Sequence, residues 1–421
     1  MTVCGILRKQ ASITARNRCR FFSVHRSPLF NTHIKNDEKT VSSHNRLHRR
    51  NNHRKRSKEM TELNFQELYH IRSNIQHLIQ DYSSYEIPKI DWAFLLQYRG
   101  PLQDNEKYFL TIKTLNLLLT LTCHRLASLQ ELPYIALVNP NIEQSNRLYL
   151  KTLESLLSIE YPYDLYDTDK IQNLTEEFLN DHQDTLLTLS NGLQEVSRFY
   201  DPENIFKFLN KHLHDRILMK LLTTNYLKLL EQTSSDEVIG VIHKDLHISD
   251  LVTRTNEFVN DLTFIKYDKT VPVKIMEGSD VKFSYIPTDL EYVLQELLKN
   301  SSRAHIENNV DKDVEVTIVK NDDQLEIRIR DFGGGIDPQV EDRVFDYSFS
   351  TTVKEEKDSG MSDYVLPGQE VQNVAGMGFG LPMCKAYLEL FNGTLDIQSL
   401  WGWGTDVYIR LHGPSDRLFD K

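Results

Sequence analysis

The sequence predicts an α+β protein, with an N-terminal antiparallel helical bundle followed by a mixed sheet that carries helices on one face. Three observations carry this reading. Apolar residues recur at three- and four-residue spacing from about Glu62 to Asn260. After Thr270 the spacing changes to alternation, as half-buried strands require. Two helical stretches interrupt the alternating segments, which is the pattern of a sheet covered by helices.

The helical half is built from "LYHIRSNIQHLIQDY", "FLTIKTLNLLLTLTCHRLASL", "SNRLYLKTLESLLSI" and "FLNKHLHDRILMKLLTTNYLKLLEQ". Pro133 and Pro140 separate the second from the third. Long helices with short connections pack antiparallel. The sheet half contains "VPVKIM", "VKFSYI", "VEVTIV", "QLEIRIRD", "TLDIQS" and "TDVYIRL". In the fourth of these, Leu325, Ile327 and Ile329 face one way and Glu326, Arg328 and Arg330 the other. The two intervening helices run from Leu290 to Asn308 and from Leu381 to Phe391. The expected division is a basic leader over 1–58, the bundle over 62–260, the sheet domain over 271–413 and a short tail over 414–421.

At 421 residues, 40% apolar and 26% charged, the chain can bury two cores. No apolar run approaches the roughly 18 residues of a membrane helix, and "LNLLLTLT" reads as a core helix, so no membrane insertion is expected. Charge is unevenly spread. Residues 1–58 hold fifteen Lys/Arg against Asp37 and Glu38, a net of +13; against −11 for the whole chain, the remainder carries −24. A leader rich in Arg and Ser and poor in acids has the composition of a mitochondrial presequence, and "CRFFS" (19–23) resembles a matrix-protease site. The expected location is therefore the mitochondrial matrix. The plain alternative is a basic tail for nucleic acid, and no nucleic-acid partner is expected. Cys4, Cys19, Cys123 and Cys384 have no metal-ligand spacing, so reduced thiols are expected, with neither disulfides nor zinc.

Within the first helix of the sheet domain, "ELLKNSSRA" places Glu296, Asn300, Arg303 and Glu307 within an arc of about 60°. Leu290, Val293, Leu297 and Ala304 form an adjacent apolar stripe. Asn is a poor mid-helix residue because its amide competes for backbone hydrogen bonds. A carboxylate and an amide one turn apart can hold a magnesium ion and a hydroxyl together, since magnesium takes oxygen ligands and completes its shell with water and phosphates. A solvated helix face is the alternative. "DFGGGI" (331–336) follows a strand, and its glycines let the backbone come close to a flat ligand. Asp331 at the strand end can accept from an exocyclic amine. "GMGFGLPMCKAYLELF" (376–391) places Gly376, Gly378 and Gly380 before a helix with an early Pro382, a bare-amide site suited to phosphates. It matches neither the P-loop nor a dinucleotide fingerprint. The polar stretch over 350–375 between the two glycine clusters reads as a lid. "GWGTDVYIRL" (402–411) closes the series, with Thr405 opening the last strand.

Each signal alone is weak, but four in this order over about 115 residues resemble the GHKL, or histidine-kinase-type, ATPase α/β sandwich of histidine kinases, type II topoisomerases, mismatch-repair ATPases and heat-shock chaperones. That resemblance implies ATP and magnesium as cofactors. It makes Glu296 the catalytic base and Asn300 the magnesium ligand. Asp331, with Gly333 and Gly335 beside it, would meet adenine, supported by Thr405. Arg303, Ser350, Thr351, Gly376, Met377, Gly378, Phe379, Gly380 and Leu381 would complete the nucleotide site.

The segments "RDFGGGI", "FDYSFSTT" and "GWGTDVYIRL", with "RLASLQELPYIALVNPNI" and "FLNKHLHDRILMKLL" in the bundle, narrow the resemblance. Over roughly 63–413 the sequence resembles the mitochondrial protein kinases of 2-oxo acid dehydrogenases, most closely the fungal pyruvate dehydrogenase kinases. Such enzymes phosphorylate serine on the dehydrogenase alpha subunit and inactivate it. The resemblance implies three partners: that alpha subunit, a lipoyl domain of the dihydrolipoyl acyltransferase core, and a second copy or a paralogue as dimer partner. It also implies potassium near "YSFSTT". Three positions depart from the family. Tyr292 stands where many animal members carry a histidine one turn before the base. Tyr226 stands where a bundle histidine is usual. "HGPSDRLFDK" carries no Asp-Trp motif, so dimerisation through the sheet domain is expected rather than tail exchange. A branched-chain dehydrogenase kinase is the nearest alternative. A histidine kinase would need an acceptor such as His214 beside Asp215, but the Arg-x-Pro usual after such a pair is missing. An ATP-gated switch is a third reading, and no large client domain accompanies the ATP site to support it.

Overall fold

The computed structural model describes residues 65–419, apart from 162, 184, 197–198, 200, 234–236 and 348–377. The chain divides into two units, residues 1–81 and 82–421. The described part of the first lies on helix α1 (Phe65–Ser83).

In the second unit, α2 (Trp92–Leu95) is capped by Asp91, whose Oδ1 accepts from Phe94 N at 2.9 Å. Helix α3 (Asp104–Gln130) buries Leu115, Leu118, Leu121, Leu126 and Leu129, so "LNLLLTLT" is core. Pro133 precedes the short α4 (Tyr134–Leu137). Pro140 opens α5 (Pro140–Leu157), capped by Asn139. Helices α6 (Thr168–Asp181), α7 (Thr185–Val196) and α8 (Pro202–Glu231) follow, the last starting on Asp201 as cap and Pro202 in the first turn. A side-chain oxygen at the cap satisfies an amide the helix leaves open, and proline forfeits none there. Helix α3 packs on α5 and α8, and α5 on α7, which makes the bundle. Inside it lie Arg125, His212 and Asp215, all buried, with Arg125 Nη2 against Asp215 Oδ2. Tyr226 is also buried, its hydroxyl 3.1 Å from Thr111 Oγ1.

The sheet domain begins earlier than the sequence pattern indicates. A hairpin of β1 (Val238–Ile239) and β2 (Ile242–His247) leads into α9 (Ile248–Tyr267). Strand β2 pairs with β4 (Lys282–Tyr285), giving a three-stranded sheet in the order β1-β2-β4. Helix α9 packs on α10 (Pro287–Glu307). The helical reading of 62–260 therefore absorbed a hairpin and a helix that lie with the sheet domain. Strand β1 spans two residues and β2 is irregular between His243 and Leu246, so no clean alternation marks them.

The main sheet has the order β3-β5-β6-β8-β7, formed by β3 (Val273–Glu277), β5 (Val314–Asn321), β6 (Gln324–Asp331), β7 (Thr394–Leu400) and β8 (Gly404–His412). Strand β3 runs parallel to β5, and the other pairs are antiparallel, so the sheet is mixed as expected. Leu325, Ile327 and Ile329 are buried under α10, while Arg328 and Arg330 turn outward to Asp406. Helix α11 (Gly380–Glu389) covers β7. Trp92 ties the segment before the bundle to this domain. Its ring stacks on Phe391 at 3.9 Å, and its indole N–H donates to His412 O at 2.9 Å. Cys123 and Cys384 are buried free thiols.

Candidate active site

Helix α10 organises the site. Pro287 starts it, and Leu290, Val293, Leu294, Leu297 and Leu298 bury its apolar side. The polar stripe then divides. Glu296 is only 7% exposed, Asn300 is exposed, Arg303 is half-buried and Glu307 exposed. Lys299 Nζ donates to Glu296 Oε1. The other oxygen faces Gly380, where an added Cβ would lie 2.7 Å from Oε2. A glycine at the start of α11 leaves this carboxylate room to reach the helix N-terminus. That terminus carries bare amides and a partial positive charge. Arg303 Nε donates to Glu307 Oε1 at 2.5 Å.

Two turns further along α10, at about 1.5 Å rise per residue and so about 12 Å away, lies the turn after β6. Asp331 is 6% exposed, and its Oδ1 accepts from Gly333 N at 3.0 Å and Thr405 N at 3.2 Å. Burial pushes its carboxyl up to about 6, against the pull of those two amides. Gly333 packs on Ala304, where a Cβ would meet the alanine Cβ at 2.6 Å. Gly335 has φ +69° and sits over Leu400 O, a conformation that glycine adopts freely. The turn is fastened on both sides. His305 Nε2 accepts from Phe332 N at 2.8 Å, and its Nδ1 lies 3.1 Å from Lys312 O. Burial lowers the pKa of His305, which favours the neutral ring that this bonding requires. On the other side Ser399 Oγ accepts from Ile336 N at 2.7 Å and lies 3.1 Å from Thr405 Oγ1.

Helix α11 supplies the third side. Gly378 has φ +77°, and Phe379 is fully buried with its ring 5.7 Å from that of Tyr347. The Tyr347 hydroxyl donates to Asn210 Oδ1 on α8 at 2.9 Å. Leu381 is half-buried in the first turn. Ser350, Thr351, Gly376 and Met377, the lid over 350–375 and most of the potassium segment lie outside the described residues.

The structure thus brings Glu296 to Gly380, and Asp331 to Gly333 and Thr405, with α10 spanning the two groups. A flat base can sit at the Asp331 end and an anion at the α11 end. Asn300 stands one turn from Glu296 with its amide engaged by no described residue, so its oxygen suits a hard cation. Among the described residues no cluster of three or more His, Cys, Asp or Glu gathers. His214 is half-exposed, while its neighbour Asp215 is turned to Arg125. The sequence reading missed His305 and Ser399. His305 falls four residues after buried Ser301, on the buried side of α10, and a polar residue there signals a partner. Ser399 becomes visible only once the strands are paired, because it lies directly opposite Thr405.

Comparison with known proteins covers both halves of the chain. Residues 89–243 match the family described as mitochondrial branched-chain alpha-ketoacid dehydrogenase kinase. Residues 285–415 match the histidine kinase-, DNA gyrase B-, and HSP90-like ATPase family. The chain is 50% identical over 363 residues to pyruvate dehydrogenase (acetyl-transferring) kinase 1, mitochondrial, of Saccharomyces cerevisiae, covering 85% of this chain and 92% of that one. It is 26% identical over 298 residues to the mitochondrial pyruvate dehydrogenase (acetyl-transferring) kinase of Arabidopsis thaliana, covering 68% and 80%. Against isozyme 1 of Rattus norvegicus identity is 26% over 311 residues, 69% of each chain.

Proposed function

The chain belongs to the family of mitochondrial pyruvate dehydrogenase kinases, and from that premise we propose that it transfers the γ-phosphoryl group of ATP to a serine of the pyruvate dehydrogenase alpha subunit, switching that enzyme off. The observation that carries the mechanism is the buried Glu296 carboxylate, aimed at Gly380 where α11 begins. The serine oxygen attacks the γ-phosphorus, the bond to the β-bridging oxygen breaks, and ADP leaves. Glu296 takes the serine proton as the new O–P bond forms, help that contributes about 10²–10⁴-fold. The rest is positioning and charge stabilisation. Asp331 accepts from the adenine amine, with Gly333 and Thr405 fixing its other oxygen. The amides of Gly378, just before α11, and of Gly380, at its start, receive phosphate oxygens. Asn300 would hold magnesium, which would neutralise charge on the phosphates.

The same reading places the protein in the mitochondrial matrix, consistent with the basic leader. It makes a lipoyl domain of the acyltransferase core the docking partner, with a second copy or a paralogue as dimer partner. A second reading has a specific observation behind it: the match of residues 89–243 to a description naming branched-chain kinases. Radiolabelled ATP offered with purified pyruvate and branched-chain dehydrogenases, each on its lipoyl-bearing core, tests both. Acid-stable label on the pyruvate dehydrogenase alpha subunit, with loss of its activity, is the expected result. Label on the branched-chain subunit alone would keep the site and change the substrate. Acid-labile phosphate on the chain itself would point to a histidine kinase.

A further inference from the structure

Among the described residues the carboxylate of Glu296 is held from one side, and the holder is not the residue one turn before it. Tyr292 occupies that place, but its hydroxyl donates to Met383 Sδ at 3.6 Å and its ring packs on Tyr387 at 4.9 Å. Tyr292 is 8% exposed, and burial keeps its hydroxyl protonated. The thiol of Cys384 is also buried nearby and neutral, 3.9 Å from the carbonyl of Val293. Neither group restrains Glu296. Lys299, one turn after it, does so directly through Oε1. The two side chains are 16% and 9% exposed, so this is not the solvent-facing helix pair that the i,i+3 spacing ordinarily gives. With most water excluded, an ammonium hydrogen-bonded to one oxygen fixes the direction of the carboxylate. The second oxygen is left toward Gly380, where α11 begins.

We propose that Lys299 is the positioning residue of this active site, holding the Glu296 carboxylate by one oxygen so that the other receives the substrate proton. The inference rests on the reading of Glu296 as the base. Both partners sit on α10, so the arrangement is set by the helix before any ligand arrives. A general base must lie within hydrogen-bond reach of its proton, and displacing such a group by about 1 Å can cost about a hundredfold in rate.

The test uses the full chain with pyruvate dehydrogenase on its lipoyl-bearing core, comparing wild type, Lys299→Met, Lys299→Arg, Glu296→Gln and the double variant Glu296→Gln/Lys299→Met. Lys299→Met is expected to lower kcat by about a hundredfold while the ATP dissociation constant holds. Lys299→Arg restores most of the rate, since a guanidinium can also hold one carboxylate oxygen. Adding Lys299→Met to Glu296→Gln should cause no further loss, because the lysine acts through the glutamate. Should Lys299→Met not fold, Lys299→Gln removes the charge while keeping a polar end, and the same kcat loss is expected. A loss of ATP affinity at unchanged kcat would overturn the proposal and make Lys299 a phosphate ligand. So would a further drop in the double variant, or an unaltered kcat in every lysine variant. A wild-type protein that phosphorylates neither dehydrogenase would instead overturn the function on which the proposal rests.

Discussion

Two buried ion pairs, one in each half of this molecule, show how differently the same chemistry can be placed. Lys299 and Glu296 are three residues apart on one helix, and the carboxylate keeps a free oxygen facing a glycine. Arg125 and Asp215 join α3 to α8, ninety positions apart in sequence, deep in the bundle. Arg125 has no accessible surface, and its Nε and Nη1 find no hydrogen-bond partner among the described residues. Its Nη2 meets Asp215 Oδ2 as a charge contact rather than an aligned hydrogen bond. The first pair opens toward Gly380, where the proposed chemistry lies. The second is closed, and its role lies in how the helices pack.

The largest separation between the two regions should come from Glu296→Gln. The amide keeps shape and burial but cannot take a proton. Transfer should fall by about 10²–10⁴-fold while ATP still binds and the melting temperature holds. Full activity in this variant would remove Glu296 from the base role and erase the distinction drawn here.

The bundle pair should show the reverse balance. Arg125→Met leaves Asp215 buried without its cation, which costs about 3–5 kcal/mol in denaturant unfolding. Converting both, as Arg125→Met with Asp215→Leu, should return most of that loss, because a buried pair often does no better than apolar groups of similar volume. If the double variant stays as unstable as the single one, the pair specifies the packing of α3 on α8 and is not merely tolerated.

Legibility in the sequence follows the same division. The five strands of the main sheet and the helices α10 and α11 were readable because alternation and helical spacing are local signals. Glu296, Asp331 and the glycines were singled out because their motifs are short and local in sequence, although the structure joins them across long separations. Gly333 lies against Ala304 with no room for a larger residue, while Gly380 faces the carboxylate end of Glu296. The hairpin β1–β2 was missed because two residues carry no period. The Arg125–Asp215 contact was equally invisible. Helical spacing shows a polar residue on an apolar face but not the partner ninety positions away. Tyr292 shows a subtler limit. The sequence marks it as a departure from the animal pattern, but only the structure shows its hydroxyl committed to Met383.

Acid should separate the regions by sign. Burial first, and the Arg216 guanidinium second, push His182 down to about 3. Burial and the guanidiniums of Arg125 and Arg216 likewise lower His212. Both rings are therefore neutral in the fold. Below pH 6.5 the unfolded chain binds protons that the folded chain refuses, so stability falls as pH drops, by about 1.4 kcal/mol per pH unit for each histidine. Asp331 behaves oppositely. Its folded value of about 6 exceeds the unfolded 3.8, so between those values the folded chain binds the extra proton. Its contribution is present in acid and is lost as pH rises through 6. Denaturant unfolding between pH 7.5 and 5 should show the histidine slope prevailing. In Asp331→Asn that slope should steepen, because one opposing group is gone; Asp289, which burial also pushes up to about 6, remains in both proteins. An unchanged slope would mean that Asp331 keeps an ordinary carboxyl in solution.

The smallest effect expected is on the nucleotide itself. An adenine amine donates to the Asp331 carboxylate most strongly when that group is ionised, as Oδ1 is already bound by Gly333 and Thr405. At pH 5, one unit below its folded value of about 6, roughly a tenth of the protein is in that state. Apparent ATP affinity should then weaken about tenfold from pH 7.5 to 5. The triphosphate titrates in the same range, so the informative quantity is the difference between wild type and Asp331→Asn. The variant should bind more weakly at pH 7.5 and lose less of its affinity on acidification. Parallel curves for the two proteins would assign the whole pH dependence to the phosphates. They would leave Asp331 as a buried anchor for the Gly333 and Thr405 amides, a structural part much closer in kind to Asp215 than to Glu296.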